Sequence, residues 1–104
     1  MYKVFHTNRF EKELRKINHT FKNWLDKIEN QIAKNPYAGK PIDFPWFREK
    51  KFKNYRVYFI IYEKEKSVVF VAISTKKDQQ RVINSIRLLL RTFGEEIKEL
   101  LRST

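Results

Sequence analysis

The feature that most constrains the fold is a pair of dense β-forming runs joined by a short charged turn. Residues 55–62 read YRVYFIIY and residues 68–74 read VVFVAIS, with the charged segment 63–66 between them. β-branched and aromatic residues favour strands, and a run that is apolar at nearly every position is typical of a buried strand. The two runs therefore predict an antiparallel hairpin, with residues 55–62 as the central strand of a sheet.

Two amphipathic helices are predicted upstream of this hairpin. Residues 2–6 alternate and are rich in β-formers, which predicts a first strand. Thr7 or Asn8 can cap a helix that runs to about residue 18, and a second helix is predicted over residues 21–34. Each helix has one apolar face, formed by Phe10, Leu14 and Ile17 in the first and by Phe21, Leu25, Ile28 and Ile32 in the second.

The segment between the second helix and the hairpin is predicted as a loop followed by a strand. Asn35 precedes Pro36, and proline disfavours helical geometry at the residue before it. Residues 36–45 contain all three prolines and Gly39, so they are predicted as a loop. Residues 47–52 resume as a strand that would pair with the central one.

The C-terminal part of the chain is predicted to be helical. Thr75 and Asp78 have the spacing of a capping box, and a long helix should follow with one apolar face. That face is formed by Val82, Ile86, Leu89, Leu90 and Phe93. Gly94 is expected to end or kink this helix, and residues 95–102 would form a short separate one. Its apolar residues, Ile97, Leu100 and Leu101, could pack on the domain or on a partner.

Together these elements predict one α+β domain over residues 1–104 in the order β-α-α-β-β-β-α. A helical hairpin would pack on a small antiparallel sheet, with a C-terminal helical extension from about residue 76 to 104. The chain has no cysteine, which excludes disulfides, thiolate zinc sites and a cysteine nucleophile. Two histidines do not make a histidine-rich metal site, and we expect no metal or cofactor.

The sequence also argues against a membrane protein. Its N-terminus lacks the apolar core of a signal peptide. Its longest apolar runs are about five residues, against the roughly 20 that a membrane-spanning helix needs. We therefore expect a small cytoplasmic protein.

Most of the positive charge lies in two short segments. The formal net charge is +11, and residues 48–56 and 76–91 each carry five cations and one acidic residue. A concentration of this kind is typical of a surface that binds a polyanion such as nucleic acid. Whether the two segments meet depends on the fold.

The stretch REKKFKNYRVYFIIYEKEKSVVFVAISTKKDQQ, residues 48–80, resembles the RelE/ParE superfamily of toxins from type II toxin–antitoxin systems. It has a basic strand, a tight turn, a Tyr-Arg strand, a hydrophobic strand and a polar basic end. The helical hairpin and the Gly-Lys-Pro loop at residues 39–41 fit as well. The resemblance implies a basic concave sheet face and neutralisation by a cognate antitoxin. RelE-like members cleave mRNA in the ribosomal A site without metal or cofactor, whereas ParE-like members inhibit DNA gyrase.

The resemblance also implies roles for individual residues. Arg56, in the Tyr-Arg strand, would hold the scissile phosphate. Lys76 and Lys77, after the last strand, would join it near a helix N-terminus, where backbone N–H groups favour an anion. The basic strand offers Lys50, Lys51 and Lys53, and a lysine crowded by other cations can act as a base.

Further RNA contacts are expected from Arg48 and Arg81, and Tyr55 and Tyr58 could stack on bases. Strand alternation puts Arg48 and Lys50 on one face and Lys51 and Lys53 on the other. A bulge would exchange the two faces, so the sequence leaves open which face meets RNA.

The first hypothesis is thus a toxin that inhibits translation by ribosome-dependent, metal-free mRNA cleavage, which would make it an endoribonuclease. RelE-like toxins commonly end with a Tyr, His or Glu that assists proton transfer, and the region after Ser74 contains neither Tyr nor His. That departure favours the second hypothesis, a ParE-like gyrase inhibitor or a non-catalytic toxin-like protein that binds nucleic acid. A third is an unrelated basic nucleic-acid-binding module.

Overall fold

The computed structural model describes the backbone of residues 1–102 and the side chains of residues 1–90. The elements are β1 (Lys3–His6), α1 (Asn8–Leu14), α2 (His19–Lys34), β2 (Lys40–Ile42), β3 (Phe44–Phe52), β4 (Tyr55–Tyr62), β5 (Ser67–Thr75) and α3 (Gln79–Arg102). A single 3-10 turn spans Pro36–Ala38. The predicted α+β fold is confirmed.

The sheet has five strands in the order β1-β5-β4-β3-β2. The predicted meander of β3, β4 and β5 is antiparallel, but β1 joins it parallel to β5, so the sheet is mixed. Two details of the prediction are wrong: β2 lies within the predicted loop, and β3 begins at Phe44 rather than at Phe47. β2 is a three-residue edge strand that contains Pro41, and an edge position tolerates a proline.

The helix boundaries also differ from the prediction. α1 ends at Leu14, well before residue 18, because Asn18 instead caps α2 by accepting a hydrogen bond from the Phe21 N–H at 3.1 Å. The helix α3 is continuous to Arg102, so the expected break at Gly94 does not occur. The packing expected of Ile97, Leu100 and Leu101 lies outside the described side chains. None of the helices in the described part of the chain combines the length and apolarity needed to cross a bilayer.

Helices cover both faces of the sheet. On one face, called here the hairpin face, α1 and α2 pack on β4 and β5 through Phe10, Phe21, Leu25, Ile32, Val57, Phe59 and Phe70. On the other, the α3 face, the first half of α3 packs through Val82, Ile83, Ile86, Phe47, Tyr58 and Ile60. Val82 and Ile86 are buried as predicted, whereas Leu89 is exposed and Ile83 is buried instead.

One histidine links three elements on the hairpin face. His6 ends β1, and its Nδ1 lies 2.9 Å from Glu11 of α1 while its Nε2 contacts Glu29 of α2. Burial lowers the pKa of His6, but the hydrogen bonds and charges of Glu29 and Glu11 raise it more, so its pKa is above the ordinary value. The His6 ring therefore links β1 to both helices.

The raised pKa predicts that His6 stabilises the fold more at low pH. A group whose pKa is higher in the folded state contributes fully below its unfolded pKa, about 6.5, and loses that contribution as pH rises through its folded pKa. We expect the difference in melting temperature between wild type and His6→Gln to be largest near pH 5.5 and to shrink towards pH 9. Exposed His19 provides the control variant His19→Gln. A difference for His6→Gln that is independent of pH would contradict the prediction.

Candidate functional site

The two basic segments meet at the end of the sheet that carries the β3–β4 turn. Arg56 lies opposite Lys51 on one side and opposite Ser74 on the other. The Lys76 N–H donates to the Asn54 carbonyl oxygen at 2.8 Å, so the segment after β5 is held against the turn. Residues about 20 positions apart in the chain thus share one end of the molecule.

Cross-strand pairing assigns each basic side chain to a face. Lys51 pairs with Arg56, whose next neighbour on the same side of β4 is Tyr58 in the α3-face cluster. Lys50 instead pairs with Val57, which belongs to the hairpin-face cluster. Lys51 and Arg56 therefore share the α3 face and Lys50 does not, and no bulge interrupts the β3–β4 ladder at these residues.

Arg56 is buried in an unusual way. Its side chain is 7% exposed, and its NH1 group donates to the carbonyl oxygens of Lys53 at 3.3 Å and Tyr55 at 3.1 Å. Its Nε is buried and has no hydrogen-bond partner within the described part of the chain. A buried, unpaired donor is costly, and in a native structure it calls for an explanation.

Tyr58 forms the floor of this site rather than a stacking surface. It is fully buried, and its hydroxyl lies 2.8 Å from the Ser74 hydroxyl. Burial raises the pKa of Tyr58 to about 12, the Ser74 hydrogen bond opposes this, and the nearby charge of Glu49 adds to it. The prediction that Tyr58 stacks on bases is therefore wrong, because its ring is enclosed in the α3-face core.

Glu49 is the residue that the sequence reasoning missed. It lies opposite Tyr58 on the α3 face, is only 5% exposed, and accepts a hydrogen bond from the Gln79 side chain at 3.1 Å. A carboxylate is rarely this buried without a role or a partner. The sequence gives only a weak indication that Glu49 is special, namely that it is the one acidic residue in an otherwise basic strand.

The segment that follows β5 is capped as predicted. The Asp78 carboxylate accepts from the Thr75 N–H at 2.7 Å and from the Thr75 hydroxyl at 2.8 Å. Burial raises the pKa of Asp78, but these hydrogen bonds and the charge of Arg81 hold it below the ordinary value. The rigid cap leaves Lys76 and Lys77 exposed between β5 and α3, whereas Arg81 is paired with Asp78 at 2.8 Å.

Two of the predicted RNA contacts lie away from this site. Arg48 donates to the backbone carbonyl oxygens of Pro45, Tyr37 and Gly39 at 2.6–3.1 Å, so it stabilises the loop before β3. Tyr55 packs on the hairpin face, with its ring 5.1 Å from that of Phe21. Alternation along the strands turns both side chains away from Arg56, and their expected contacts with RNA stay predictions.

Lys53 occupies the β3–β4 turn itself. Its φ of 53° is in the left-handed region, and its ammonium lies 5.3 Å from the centre of the Phe52 ring. It is exposed at the rim of the site. The site thus combines a buried arginine and a buried carboxylate with exposed lysines at its edge.

The geometry can be compared with known proteins. The model of one protein family, the ParE toxin of type II toxin–antitoxin system, parDE, matches residues 4–80. The chain belongs to this toxin family. The predicted RelE/ParE membership is therefore confirmed, and the toxin's site lies within the matched region. Comparison with curated protein sequences finds no match.

Solved structures support the fold of the toxin. A double mutant of E. coli RelE in the free state matches with a TM-score of 0.68 and 19% identity, covering 94% of this chain and 96% of that one. A chain of the intact E. coli RelBE toxin–antitoxin complex matches with a TM-score of 0.65 and 22% identity, covering 72% and 96%. A chain of the RelBE2 toxin–antitoxin complex from Mycobacterium tuberculosis matches with a TM-score of 0.63 and 18% identity, and the match covers 71% of this chain and 96% of that one.

Proposed function

We propose that this toxin inhibits translation by cutting mRNA on the ribosome, with Arg56 binding the scissile phosphate. The main support is the buried Nε–H of Arg56, which has no partner among the described residues. Leaving such a donor unpaired costs about 1–3 kcal/mol. A phosphate oxygen would satisfy it with a charge-assisted hydrogen bond, so the site is complementary to an anion that none of the described side chains supplies.

The cleavage chemistry needs three contributions. The ribose 2′-hydroxyl loses its proton and attacks the adjacent phosphorus, giving a 2′,3′-cyclic phosphate and releasing the 5′-oxygen, which takes up a proton. Arg56 would stabilise the charge that develops on the phosphate oxygens, together with Lys76 and Lys77. One of these two lysines would protonate the leaving oxygen. The acceptor of the first proton would be Lys51, Lys53 or the buried Glu49.

We favour Glu49 as that proton acceptor. A carboxylate is ordinarily ionised at neutral pH and can accept a proton, whereas a lysine must first lose its proton. We expect Glu49→Gln, which can keep the contact with Gln79, to lower the cleavage rate by about 100-fold or more. The measurement is single-turnover cleavage on ribosomes from pH 5 to 9.

Lys51→Ala is the matched comparison, since Lys51 lies on the same face of β3. A smaller loss that does not change the shape of the pH profile is expected from removing one exposed cation. If instead Lys51→Ala or Lys53→Ala abolished cleavage and Glu49→Gln did not, the acceptor would be a lysine, and the assignment of Glu49 would fail.

The proposed partner that controls the toxin is a cognate antitoxin. Structurally similar chains come from RelBE complexes of E. coli and M. tuberculosis and from a RelB–RelE complex of Methanococcus jannaschii, which are toxin–antitoxin complexes. A net charge of +11 favours an antitoxin whose binding segment is acidic. Ribosomes and gyrase both act in the cytoplasm, where we expect the toxin to work.

Inhibition of DNA gyrase is the second candidate function. It is favoured by the match to the ParE family and by the lack of Tyr and His after Ser74. In that case the basic surface would bind gyrase or its DNA without cleaving a bond.

One pair of assays separates the two candidates. Purified toxin is added to translating ribosomes, with mRNA cuts mapped by primer extension, and in parallel to gyrase in a supercoiling assay. Codon-positioned cuts without loss of supercoiling would support the nuclease. Loss of supercoiling without cuts would overturn it in favour of the gyrase inhibitor.

A further inference from the structure

A second candidate binding site lies at the opposite end of β4 from Arg56. The β3–β4 ladder runs from the Phe47–Ile60 pair to the Phe52–Tyr55 pair. β3 extends back to Phe44 and β4 extends on to Tyr62, and a groove of about 490 Å³ opens beside these two extensions. The two strands diverge there, so the groove has strand backbone along two of its walls.

The groove has an unusual concentration of aromatic side chains. Tyr37, Trp46 and Tyr62 line it, and Tyr37 and Trp46 are 43% and 38% exposed. The Trp46 ring stacks on that of Phe44 with centres 4.7 Å apart and planes 3° apart, and Phe44 is itself 43% exposed. Exposed, ordered aromatic side chains of this kind mark interaction surfaces.

Acidic side chains complete the lining. Glu63, Lys64 and Glu65 line the groove; Glu63 is ion-paired with Lys66 at 2.5 Å, whereas Glu65 has no ion pair among the described residues. Hydrogen bonds from Lys66, Tyr2 and Tyr37 lower the pKa of Glu63 to about 2, which keeps it negatively charged. The unpaired carboxylate of Glu65, close enough to Tyr62 for its charge to act on that hydroxyl, favours a cation at this side of the groove.

The protein already contains an example of the contact that such a lining would make. The guanidinium carbon of Arg48 lies 4.9 Å from the centre of the Tyr37 ring, and the Tyr37 hydroxyl donates to Glu63 at 2.5 Å. A cation over an aromatic face beside a carboxylate is a favourable arrangement, stronger for Trp than for Tyr. Trp46 and Tyr62 extend the same chemistry into the groove.

We propose that this groove binds an extended segment of a partner protein through an arginine or lysine side chain placed between the aromatic rings and Glu65. The ends of β3 and β4 would hydrogen-bond the backbone of the segment, as in the addition of a strand to a sheet. The site is separate from Arg56 and does not depend on the proposed nuclease activity.

The test uses the full chain with Arg56→Ala, which removes the residue proposed to make the chain toxic, and Trp24→Phe, which leaves Trp46 as the sole tryptophan. The probes are two peptides, acetyl-Thr-Val-Arg-Val-Thr-amide and the same sequence with Glu in place of Arg. Binding is followed by Trp46 fluorescence at low and high salt. We expect the Arg peptide to bind about tenfold more tightly, with the difference falling as salt rises.

Charge reversal in the groove provides the control. Glu65→Lys should weaken binding of the Arg peptide about fivefold or more. Asp26→Lys makes the same change at an exposed position on α2, outside the groove, and should leave binding unchanged. Equal binding of the two peptides, or no effect of Glu65→Lys, would overturn the proposal. A uridine pentanucleotide that displaces the Arg peptide from the groove, followed by the Trp46 signal, would also overturn it.

Discussion

Replacing Arg56 with methionine is expected to abolish growth arrest and leave the fold as stable as before, or more stable. Methionine has a similar length but no buried donor, so the cost of the unpaired Nε–H, about 1–3 kcal/mol, disappears and offsets the loss of the two hydrogen bonds to the Lys53 and Tyr55 carbonyl oxygens. Without the guanidinium, the phosphate loses its main stabilising group, and we expect cleavage on ribosomes to fall about 100-fold or more. Melting temperature and cleavage rate are the two measurements.

If Arg56 binds the phosphate, Arg56→Met lowers the cleavage rate without lowering the melting temperature. If Arg56 is structural, the substitution lowers both. Arg15→Met, at an exposed position on the hairpin side, is the matched control and should keep full toxicity. Arg56→Lys should also lose most activity, because an ammonium cannot reproduce the forked donors of arginine. A well-folded Arg56→Met variant with full toxicity would refute the role of Arg56. A strongly destabilised variant would indicate that the arginine is structural.

The second large effect is expected at Gly39, on the opposite face of the sheet from Arg56. A Cβ atom at this position would lie 2.6 Å from the tip of the Phe59 ring and 3.0 Å from the Glu49 carbonyl oxygen. Phe59 is fully buried and cannot swing aside. We therefore expect Gly39→Ala to lower the free energy of unfolding by about 1–3 kcal/mol, measured by urea denaturation.

A double mutant tests this explanation directly. Phe59→Leu removes the ring tip that the new methyl group would meet, although it leaves a cavity of its own. The double mutant Gly39→Ala/Phe59→Leu should lose less free energy of unfolding than the two single mutants lose together, by about 1 kcal/mol or more. Simple additivity would show that the ring is not the obstacle. The backbone φ of Gly39 is −76°, so conformational strain is not an alternative cause.

Elements with strong local signals were predicted correctly. The β4–β5 hairpin follows from two runs of β-forming residues, and the Thr75–Asp78 cap follows from contacts three residues apart. β2 was missed because a three-residue strand containing Pro41 has no such signal and forms only by pairing with β3. The predicted break at Gly94 failed for a related reason: one glycine costs a helix only about 1 kcal/mol, which neighbouring residues can offset.

The candidate site was predictable in part. Arg56 and the lysines could be named from the resemblance and from their charge, and the antiparallel meander brings them to one end of the sheet. The burial of Glu49 could not be predicted, because it depends on contact with Gln79, 30 residues away. Tyr58 was misassigned because a strand tyrosine can lie at a surface or in a core with the same local sequence.

By itself, the amino-acid sequence determined where the strands and helices form and where the charge is concentrated, since these depend on neighbours within a few residues. Only the tertiary structure decided which face each side chain occupies and which groups remain unpaired. The β4–β5 ladder shifts register between Tyr58 and Phe59, so that Val71 and Ala72 both join the α3-face core. Such a shift is set by cross-strand pairing and packing against α3, which involve residues distant in the chain.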